Sequence, residues 1–206
     1  MRASFVTLGL LSAVVSAATS EAQETRPVVY VARIEGVIDL GLAPFVRRVL
    51  DDAAAAGAAA VVLEINTFGG RVDAAVVIRD ALLGTPLTTV AFIDKRAISA
   101  GALISLAAKT IVMADGGTIG AATPVQAGAE GAQPVSEKTV SYMRKEFRAT
   151  AESRGRPPLI AEAMVDPDVE IPGVIEKGKL LTLTTTEALK YKVADFRADS
   201  LPAVLD

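Results

Sequence analysis

The sequence predicts one α/β domain built around a sheet of parallel strands. Short runs of β-branched and other apolar residues alternate with segments whose apolar residues recur at helical spacing. The connections between these runs are long enough to hold a helix, and such crossovers join parallel strands. The 206 residues are 51% hydrophobic and 22% charged, so one large core can form and a second domain is not expected.

The first half of the chain shows the clearest alternation. Strands are predicted at 28–38, 60–65, 87–93 and 110–114. Helices are predicted between them at 41–56, 71–83 and 99–108. Gly57 ends the first of these helices, and the Gly84-Thr85-Pro86 segment ends the second. A turn at 66–70 and Ser99 each stand between a predicted strand and a predicted helix.

The second half alternates less regularly. Residues 125–134 are rich in glycine and alanine without apolar periodicity, so a mobile loop is predicted there. A helix is predicted over 136–154 with Ser136 as its N-cap, and Pro157-Pro158 ends that region. Short β segments over 171–183 and a final helix over 184–190, with a threonine cap and Glu187 near its start, complete the prediction.

Residues 1–22 have the pattern of a secretory signal peptide. Arg2 precedes a mostly apolar run, and small residues suited to cleavage follow at Ala17, Ala18 and Ala22. The run is short for a membrane-spanning helix, which favours cleavage over an uncleaved anchor. The mature domain is then expected to comprise residues 23–206 and to be exported to the periplasm or another extracytoplasmic space.

The composition excludes several function classes. A formal charge of −3, the absence of tryptophan and an aromatic content of 4% argue against nucleic acid as a partner. The chain contains no histidine and no cysteine, which excludes a Ser-His-Asp triad, a cysteine nucleophile and the usual zinc sites. No group of residues has the spacing of a metal site, so neither a metal nor an organic cofactor is expected.

Ser99 is the candidate nucleophile. It follows a predicted strand and begins a helix within Ala-Ile-Ser-Ala-Gly, where the helix N-terminus stabilises developing negative charge. Serine is also a favoured helix N-cap, so the position alone does not establish catalysis. A nucleophilic serine needs a base, and without histidine that base is expected to be a lysine.

Lys138 is the lysine that stands out as the base. A lysine works as a general base only when burial brings its pKa towards neutrality, and Lys138 directly follows the predicted loop that could close over it. Most lysines are solvated and have no such role. Lys145 is a rival on the same helix, whereas Lys95 and Lys109 are less favoured because they lie close to Ser99 in the chain.

Gly69 and Gly70 are candidates for an oxyanion hole. Glycines let backbone N–H groups approach a substrate oxygen without obstruction, and the Ala100 amide is a second donor at the start of the serine helix. An ordinary tight turn is the simpler interpretation of two glycines taken alone. A phosphate site is only weakly indicated because the dinucleotide fingerprint is missing.

Together these segments resemble the ClpP-like serine protease domain of the NfeD proteins, membrane-bound serine peptidases related to signal peptide peptidase A. The likeness runs from about Val28 to Asp195. It rests on five ordered segments: Asn66-Thr67-Phe68-Gly69-Gly70-Arg71, Ala97-Ile98-Ser99-Ala100-Gly101-Ala102, residues 117–124, Lys138-Thr139-Val140-Ser141-Tyr142 and residues 181–195. One difference is that Phe68 stands where the family usually has proline, which pre-sets the turn.

The resemblance implies a ClpP/crotonase-like fold of repeated β-β-α units with parallel strands. It also implies a Ser–Lys catalytic dyad of Ser99 and Lys138, with Gly69, Gly70 and Ala100 at the oxyanion hole. The implied substrates are peptides, including apolar segments of membrane proteins, with a stomatin-like membrane protein as one candidate partner. Long family members continue into membrane helices and a small β-barrel domain, and the family forms homo-oligomers, so self-association and membrane association are expected.

Two other functions stay open at this point. A catalytically silent ClpP-like scaffold would bind membrane-protein tails without cleaving them, which Phe68 and the missing membrane part would suit. A crotonase-like acyl-thioester enzyme would also use paired backbone amides for an oxyanion. It would need a carboxylate near the glycine turn, and Asp73 is the obvious one.

Overall fold

The computed structural model describes residues 27–128 and 131–205, so the predicted signal peptide lies outside the described residues. The strands are β1 (Val29–Ile38), β2 (Ala60–Gly70), β3 (Thr89–Ile98), β4 (Thr110–Met113), β5 (Thr118–Gly120), β6 (Val125–Gly128), β7 (Gly131–Pro134), β8 (Thr182–Thr184) and β9 (Phe196–Arg197). The helices are α1 (Leu42–Ala55), α2 (Val72–Gly84), α3 (Ala100–Ala107), α4 (Glu137–Ser153), α5 (Pro158–Ala163), α6 (Thr185–Lys190) and α7 (Leu201–Leu205).

The main sheet confirms the predicted α/β class. Within the described residues it has seven strands, in the order β1-β2-β3-β4-β9, with β5 beside β3 and β8 beside β5. All neighbours pair in parallel except β5 and β8. Helices α1, α2 and α3 are the crossovers between successive parallel strands, as the chain alternation predicts.

Strand β3 changes its pairing partner along its length, and this change positions Ser99. Its first part, Val90–Ile93, pairs with β4, whereas its last part, Arg96–Ile98, pairs with β5. The strand also continues five residues beyond the predicted end at residue 93. Likewise β2 continues five residues beyond its predicted end at residue 65, so the segment 66–70, predicted as a turn and called the glycine turn below, is the irregular end of β2. Ser99 therefore leaves the sheet between the end of β2, where Thr67 pairs with Ala97, and the end of β5, where Gly120 pairs with Ile98.

The core lies mainly on one face of the sheet. Helix α3 is buried along its whole length, and α1, α2 and α4 pack around it and the sheet. A smaller cluster on the other face consists of Val62, Phe92, Val112 and Ala114, and the side chains of Leu201 and Val204 from α7 pack against it. No helix among the described residues is both long and apolar enough to cross a membrane.

The second half differs from the sequence prediction in two respects. The predicted mobile loop at 125–134 contains an antiparallel hairpin of β6 and β7, in which Val125 pairs with Pro134. The hairpin pairs with no other strand in the described part of the chain, which explains why its sequence lacks the alternation of a half-buried strand. Four short elements, β5, α5, β9 and α7, were not predicted.

The helix ends in this half follow the predicted capping. Ser136 caps α4 by accepting a hydrogen bond from the Thr139 N–H. Thr184 and Glu187 form a reciprocal capping box at the start of α6, which satisfies two N–H groups that have no partner within the helix. The α4 cap fixes the first turn of that helix, on which Lys138 lies.

Candidate active site

Ser99 occupies a strained turn between β3 and α3. Its φ of 57° and ψ of −121° are rare for a residue with a side chain, and its N–H donates to the Gly120 carbonyl at 2.9 Å. Although Ser99 stands at the N-cap position of α3, its hydroxyl caps no backbone N–H. The capping interpretation therefore does not account for serine at this position, and Oγ is left half-buried at the start of the helix.

Gly69 lies directly against this serine. A Cβ atom on Gly69 would be 2.6 Å from Cβ and 3.0 Å from Oγ of Ser99, which is closer than side-chain atoms approach. Its φ of 107° also disfavours any residue other than glycine. The backbone of Gly69 thus packs directly against the Ser99 side chain, and a side chain at position 69 would prevent this contact.

The backbone N–H groups around the serine have different roles. The Gly69 N–H donates to Oγ1 of Thr67 at 2.9 Å. The Arg71 N–H donates to the Ile38 carbonyl of β1 at 2.7 Å. Gly70 is the register partner of Ile38, whose carbonyl is bonded by the next N–H along the strand, that of Arg71, so in this parallel ladder the Gly70 N–H points away from β1. Ala100 is the first residue of α3, where an N–H has no partner within the helix.

Lys138 lies in the first turn of α4 and its side chain is exposed. It is one helical turn before Tyr142, so the two side chains share a face of the helix. Tyr142 lines a cleft of about 570 Å³ between α2 and α4, whose other walls include Val72 and Val76. The lysine therefore stands at the same side of the molecule as this cleft, without a described contact to Ser99.

The other lysines are placed less favourably for a base. Lys145 forms an ion pair with the buried carboxylate of Glu162 at 2.6 Å. Lys109 donates to the Pro86 carbonyl, and its own N–H bonds to Thr89 at the opposite end of β3 from Ser99. Lys95 is exposed on β3.

A small apolar pocket lies beside Ser99. Its free volume is about 10 Å³, and Val72, Ala75, Ala100, Ala122, Pro124, Met143 and Phe147 line it. Met143 and Phe147 come from α4 and are almost fully buried. Val72 lines both this pocket and the wider cleft of about 570 Å³, so the two spaces are neighbours. Space for about one methyl group or one water is therefore free next to the serine.

A second groove, of about 490 Å³, is lined by the glycine turn. Phe68 is 74% exposed there, and the guanidinium of Arg96 lies over its ring at 4.5 Å from the centroid. The Oδ1 atom of Asn66, which also lines the groove, is buried without a hydrogen-bond partner among the described residues. Grooves thus flank the contact between Ser99 and Gly69.

Asp73 is not placed like a catalytic acid. Its carboxylate pairs with Arg71 at 2.6 Å, and both side chains are more than half exposed. The hydrogen bond from Arg71 lowers the pKa of Asp73 below its ordinary value, which keeps the carboxyl ionised. No group of three or more acidic, histidine or cysteine side chains within the described residues could hold a metal ion.

Sequence reasoning missed Thr67, Met143 and Phe147 as residues of this site. Met143 and Phe147 are four residues apart on α4 and have the spacing of an ordinary core-facing helix. Thr67 lies in the same segment as Gly69 and Gly70, and only the two glycines were predicted as candidate site residues there. The sequence could have indicated that Tyr142 lies near the site, because Tyr142 follows Lys138 by one helical turn and therefore shares its helix face.

The sequence profile described as NfeD1b, N-terminal domain, matches residues 28–206 of the chain. The chain belongs to the NfeD1b N-terminal domain family. It is 37% identical over 185 residues to the membrane protein NfeD1b of Bacillus subtilis, with 89% of this chain and 42% of that protein covered. It is 29% identical to the membrane-bound protease PH1510 of Pyrococcus horikoshii, with 87% and 39% covered. The chain thus spans about two fifths of the length of these two relatives.

Solved structures with the same fold include a membrane-bound protease that resembles this NfeD1b-type domain. A serine-to-alanine variant of the 1510-N membrane-bound stomatin-specific protease has a TM-score of 0.75 and 28% identity, covering 87% of this chain and 84% of that one. A lysine-to-alanine variant of the same protease, in complex with a substrate peptide, has a TM-score of 0.77 at 28% identity, covering 87% and 78%. ClpP1 of Listeria monocytogenes, at 21% identity and a TM-score of 0.62, supports the ClpP-like fold alone; the match covers 85% and 94%.

Proposed function

We propose that this NfeD-type domain is a serine peptidase that cleaves peptide bonds with a Ser–Lys dyad of Ser99 and Lys138. The observation that carries the proposal is the strained Ser99 turn pressed against Gly69. Strain of this kind costs on the order of 1–3 kcal/mol and persists chiefly where function requires it. The serine hydroxyl makes no structural cap that would explain its presence.

The reaction divides into acylation and deacylation. The neutral Lys138 amine takes the Oγ proton of Ser99 as Oγ attacks the carbonyl carbon of the scissile bond. The resulting oxyanion accepts hydrogen bonds from the amides of Ala100 and the glycine turn, each of which is typically worth about 3 kcal/mol of barrier. The C–N bond then breaks, and the leaving amine receives its proton from Lys138.

Water completes the cycle. Lys138, neutral again, takes a proton from a water molecule as that water attacks the acyl-serine ester. The ester C–O bond breaks, the peptide leaves as a carboxylic acid, and the Ser99 oxygen regains a proton from Lys138. Of the glycine amides, we favour Gly70 as the donor, because the Gly69 N–H already bonds to Thr67 and the Gly70 N–H points away from β1.

The proposed substrates are peptides with apolar segments. The pocket beside Ser99 is lined almost wholly by apolar side chains, and the neighbouring cleft has Val72, Val76 and Tyr142 in its walls together with the Arg71–Asp73 ion pair. The stomatin specificity of the similar 1510-N protease supports a stomatin-like membrane protein as one substrate. We further propose that residues 1–22 are removed as a signal peptide and that residues 23–206 work outside the cytoplasm, associated with the membrane, as a homo-oligomer.

The test is labelling of the protein with a serine-directed fluorophosphonate probe, followed by peptide mapping. The wild-type protein is expected to be labelled at Ser99 and to cleave peptides with apolar segments. Ser99→Ala and Lys138→Ala are expected to abolish both reactions without altering the thermal transition. Lys145→Ala serves as the matched control, because it removes a lysine of the same helix that is bound to Glu162. Full activity in Lys138→Ala would refute the proposed Ser–Lys dyad. Wild-type protein that is neither labelled nor able to cleave peptides would favour the catalytically silent scaffold.

A further inference from the structure

Thr67 is a buried polar residue between the glycine turn and β1. Its side chain is almost fully enclosed, with 1% of the residue exposed. The hydroxyl donates to the Gly36 carbonyl at 2.5 Å and accepts from the Gly69 N–H at 2.9 Å. Gly36 lies at the irregularity in the β1–β2 pairing, between Glu35 and Val37. One hydroxyl thus ties the glycine turn to the neighbouring strand and satisfies two backbone groups.

The methyl group of Thr67 contacts the helix that carries the nucleophile. A Cβ atom placed on Gly101 would lie 2.5 Å from Cγ2 of Thr67, so the methyl group occupies the space above that glycine. Gly101 is the second residue of α3 and follows Ser99 by two positions. The two branches of one side chain therefore reach the two halves of the proposed oxyanion hole.

The hydrogen bond to Thr67 constrains the backbone of the glycine turn. The Gly69 N–H is bonded to this hydroxyl and the Arg71 N–H is bonded to Ile38, whereas the Gly70 N–H between them points away from β1. A proline at position 68 would restrict the turn by its ring, but this chain has Phe68, whose exposed ring leaves the turn without that restriction. The hydrogen bonds of Thr67 supply a constraint on the turn that does not depend on position 68.

We propose that Thr67 is a positioning residue for the oxyanion hole, holding the Gly69 N–H through its hydroxyl so that the Gly70 N–H faces the substrate. The inference rests on the proposed function, since an oxyanion exists only if Ser99 attacks an acyl carbon. Thr67 touches neither the substrate nor Ser99 in this scheme; it acts through the turn. Loss of its hydroxyl is expected to slow chemistry and leave substrate binding largely unchanged.

The experiment compares Thr67→Val, which keeps the shape and removes the hydroxyl, with Thr67→Ser, which keeps the hydroxyl and removes the methyl group. Thr185→Val is the matched control, because Thr185 is 2% exposed and its hydroxyl donates to the Ala114 carbonyl at 2.6 Å. Each protein is characterised by the rate of fluorophosphonate labelling at Ser99, by kcat and KM for a cleaved peptide, and by its thermal transition.

Thr67→Val is expected to lower the labelling rate and kcat about tenfold, the effect of losing one well-made hydrogen bond in the transition state, with KM within about twofold. Thr67→Ser is expected to keep at least half of both rates. Thr185→Val is expected to melt earlier and to react as fast as the wild type. A KM effect without a kcat effect would contradict a positioning role.

Three other results would overturn the inference. Thr67→Val would react at the wild-type rate, or Thr67→Ser would lose as much labelling rate and kcat as Thr67→Val. In the third, the control Thr185→Val would lose as much labelling rate and kcat as either Thr67 variant. If Thr67→Val does not fold, Thr67→Ser decides alone, and a tenfold loss of rate in that variant refutes the role of the hydroxyl. Wild-type protein that is neither labelled nor active overturns the proposed function, and this inference falls with it.

Discussion

The substitution Gly69→Ala should disable the serine by displacing it. The added Cβ would lie 2.6 Å from Cβ and 3.0 Å from Oγ of Ser99, and it would also lie 3.1 Å from the Ile98 carbonyl oxygen. None of these atoms is the far end of a flexible side chain, because all belong to the backbone or to the first atoms of a short side chain. The two turns must therefore separate, and the oxyanion donors and the nucleophile lose their relative positions.

Two effects contribute to the expected loss of stability. A φ of 107° is unfavourable for alanine, which costs about 1–3 kcal/mol. Overpacking against Ser99 adds about 1–3 kcal/mol. Gly57→Ala is the matched control, since Gly57 also has a positive φ, of 62°, but a methyl group added there would meet no atom within 4 Å. That control should lose only about 1–2 kcal/mol, the cost of the left-handed conformation.

Urea unfolding and the rate of fluorophosphonate labelling at Ser99 measure the two consequences. Gly69→Ala is expected to unfold at lower urea concentration than Gly57→Ala, and its labelling rate should fall at least tenfold while Gly57→Ala reacts normally. Mispositioning of reacting groups by about 1 Å can cost about 10²-fold in rate. Wild-type labelling of Gly69→Ala would refute the argument that this contact positions the nucleophile.

Three further predictions concern strain, the pocket and pH. Ser99→Gly should be more stable to urea than Ser99→Ala, by about 1 kcal/mol, because glycine relieves the strain at φ 57°. Met143→Ala should raise the kcat/KM for a peptide with leucine before the scissile bond, relative to alanine, by about tenfold or more, because Met143 limits a pocket of about 10 Å³. Hydrogen bonds from the Thr184 N–H and hydroxyl lower the pKa of Glu187 below its ordinary 4.5, so its contribution to stability is present above about pH 4.5 and is lost as pH falls through the lowered value. Glu187→Gln should accordingly be less stable than wild type in urea at pH 7, with the difference shrinking as the pH falls below 4.5 and through the lowered pKa of Glu187.

The elements around Ser99 were predictable because their signals are local. A buried apolar run followed by two glycines, and a second run followed by Ser-Ala-Gly, each indicate a strand that turns into a helix. Parallel strands joined by helical crossovers bring such turns to one end of the sheet. The structure places Gly69 and Ser99 in contact there, which is the arrangement that an oxyanion hole made from both turns requires.

The remaining features depend on contacts between segments that are distant in the chain. No local pattern shows that β3 leaves β4 and pairs with β5, although that change decides where Ser99 emerges. The hydroxyl of Thr67 reaches Gly36, 31 positions earlier, and its methyl group reaches Gly101. Met143 and Phe147 have ordinary core spacing, and only the packing of α4 against α2 and α3 makes them walls of the pocket.

The exposure of Lys138 constrains how a Ser–Lys dyad can work in this NfeD-type domain. Only a neutral amine can accept a proton, and exclusion of water favours the neutral form of a lysine, so the proposed base is expected to act when it is shielded from water. The protein already offers parts of a shield, since Pro124, immediately before the β6–β7 hairpin, lines the pocket of Ser99, and Tyr142 lies one turn beyond the lysine. A bound peptide with an apolar segment, lying along these walls, would supply the rest. We therefore expect the substrate to complete the proposed active site, and we expect a preference for apolar peptides because they would exclude water from the proposed base as well as fill the pocket.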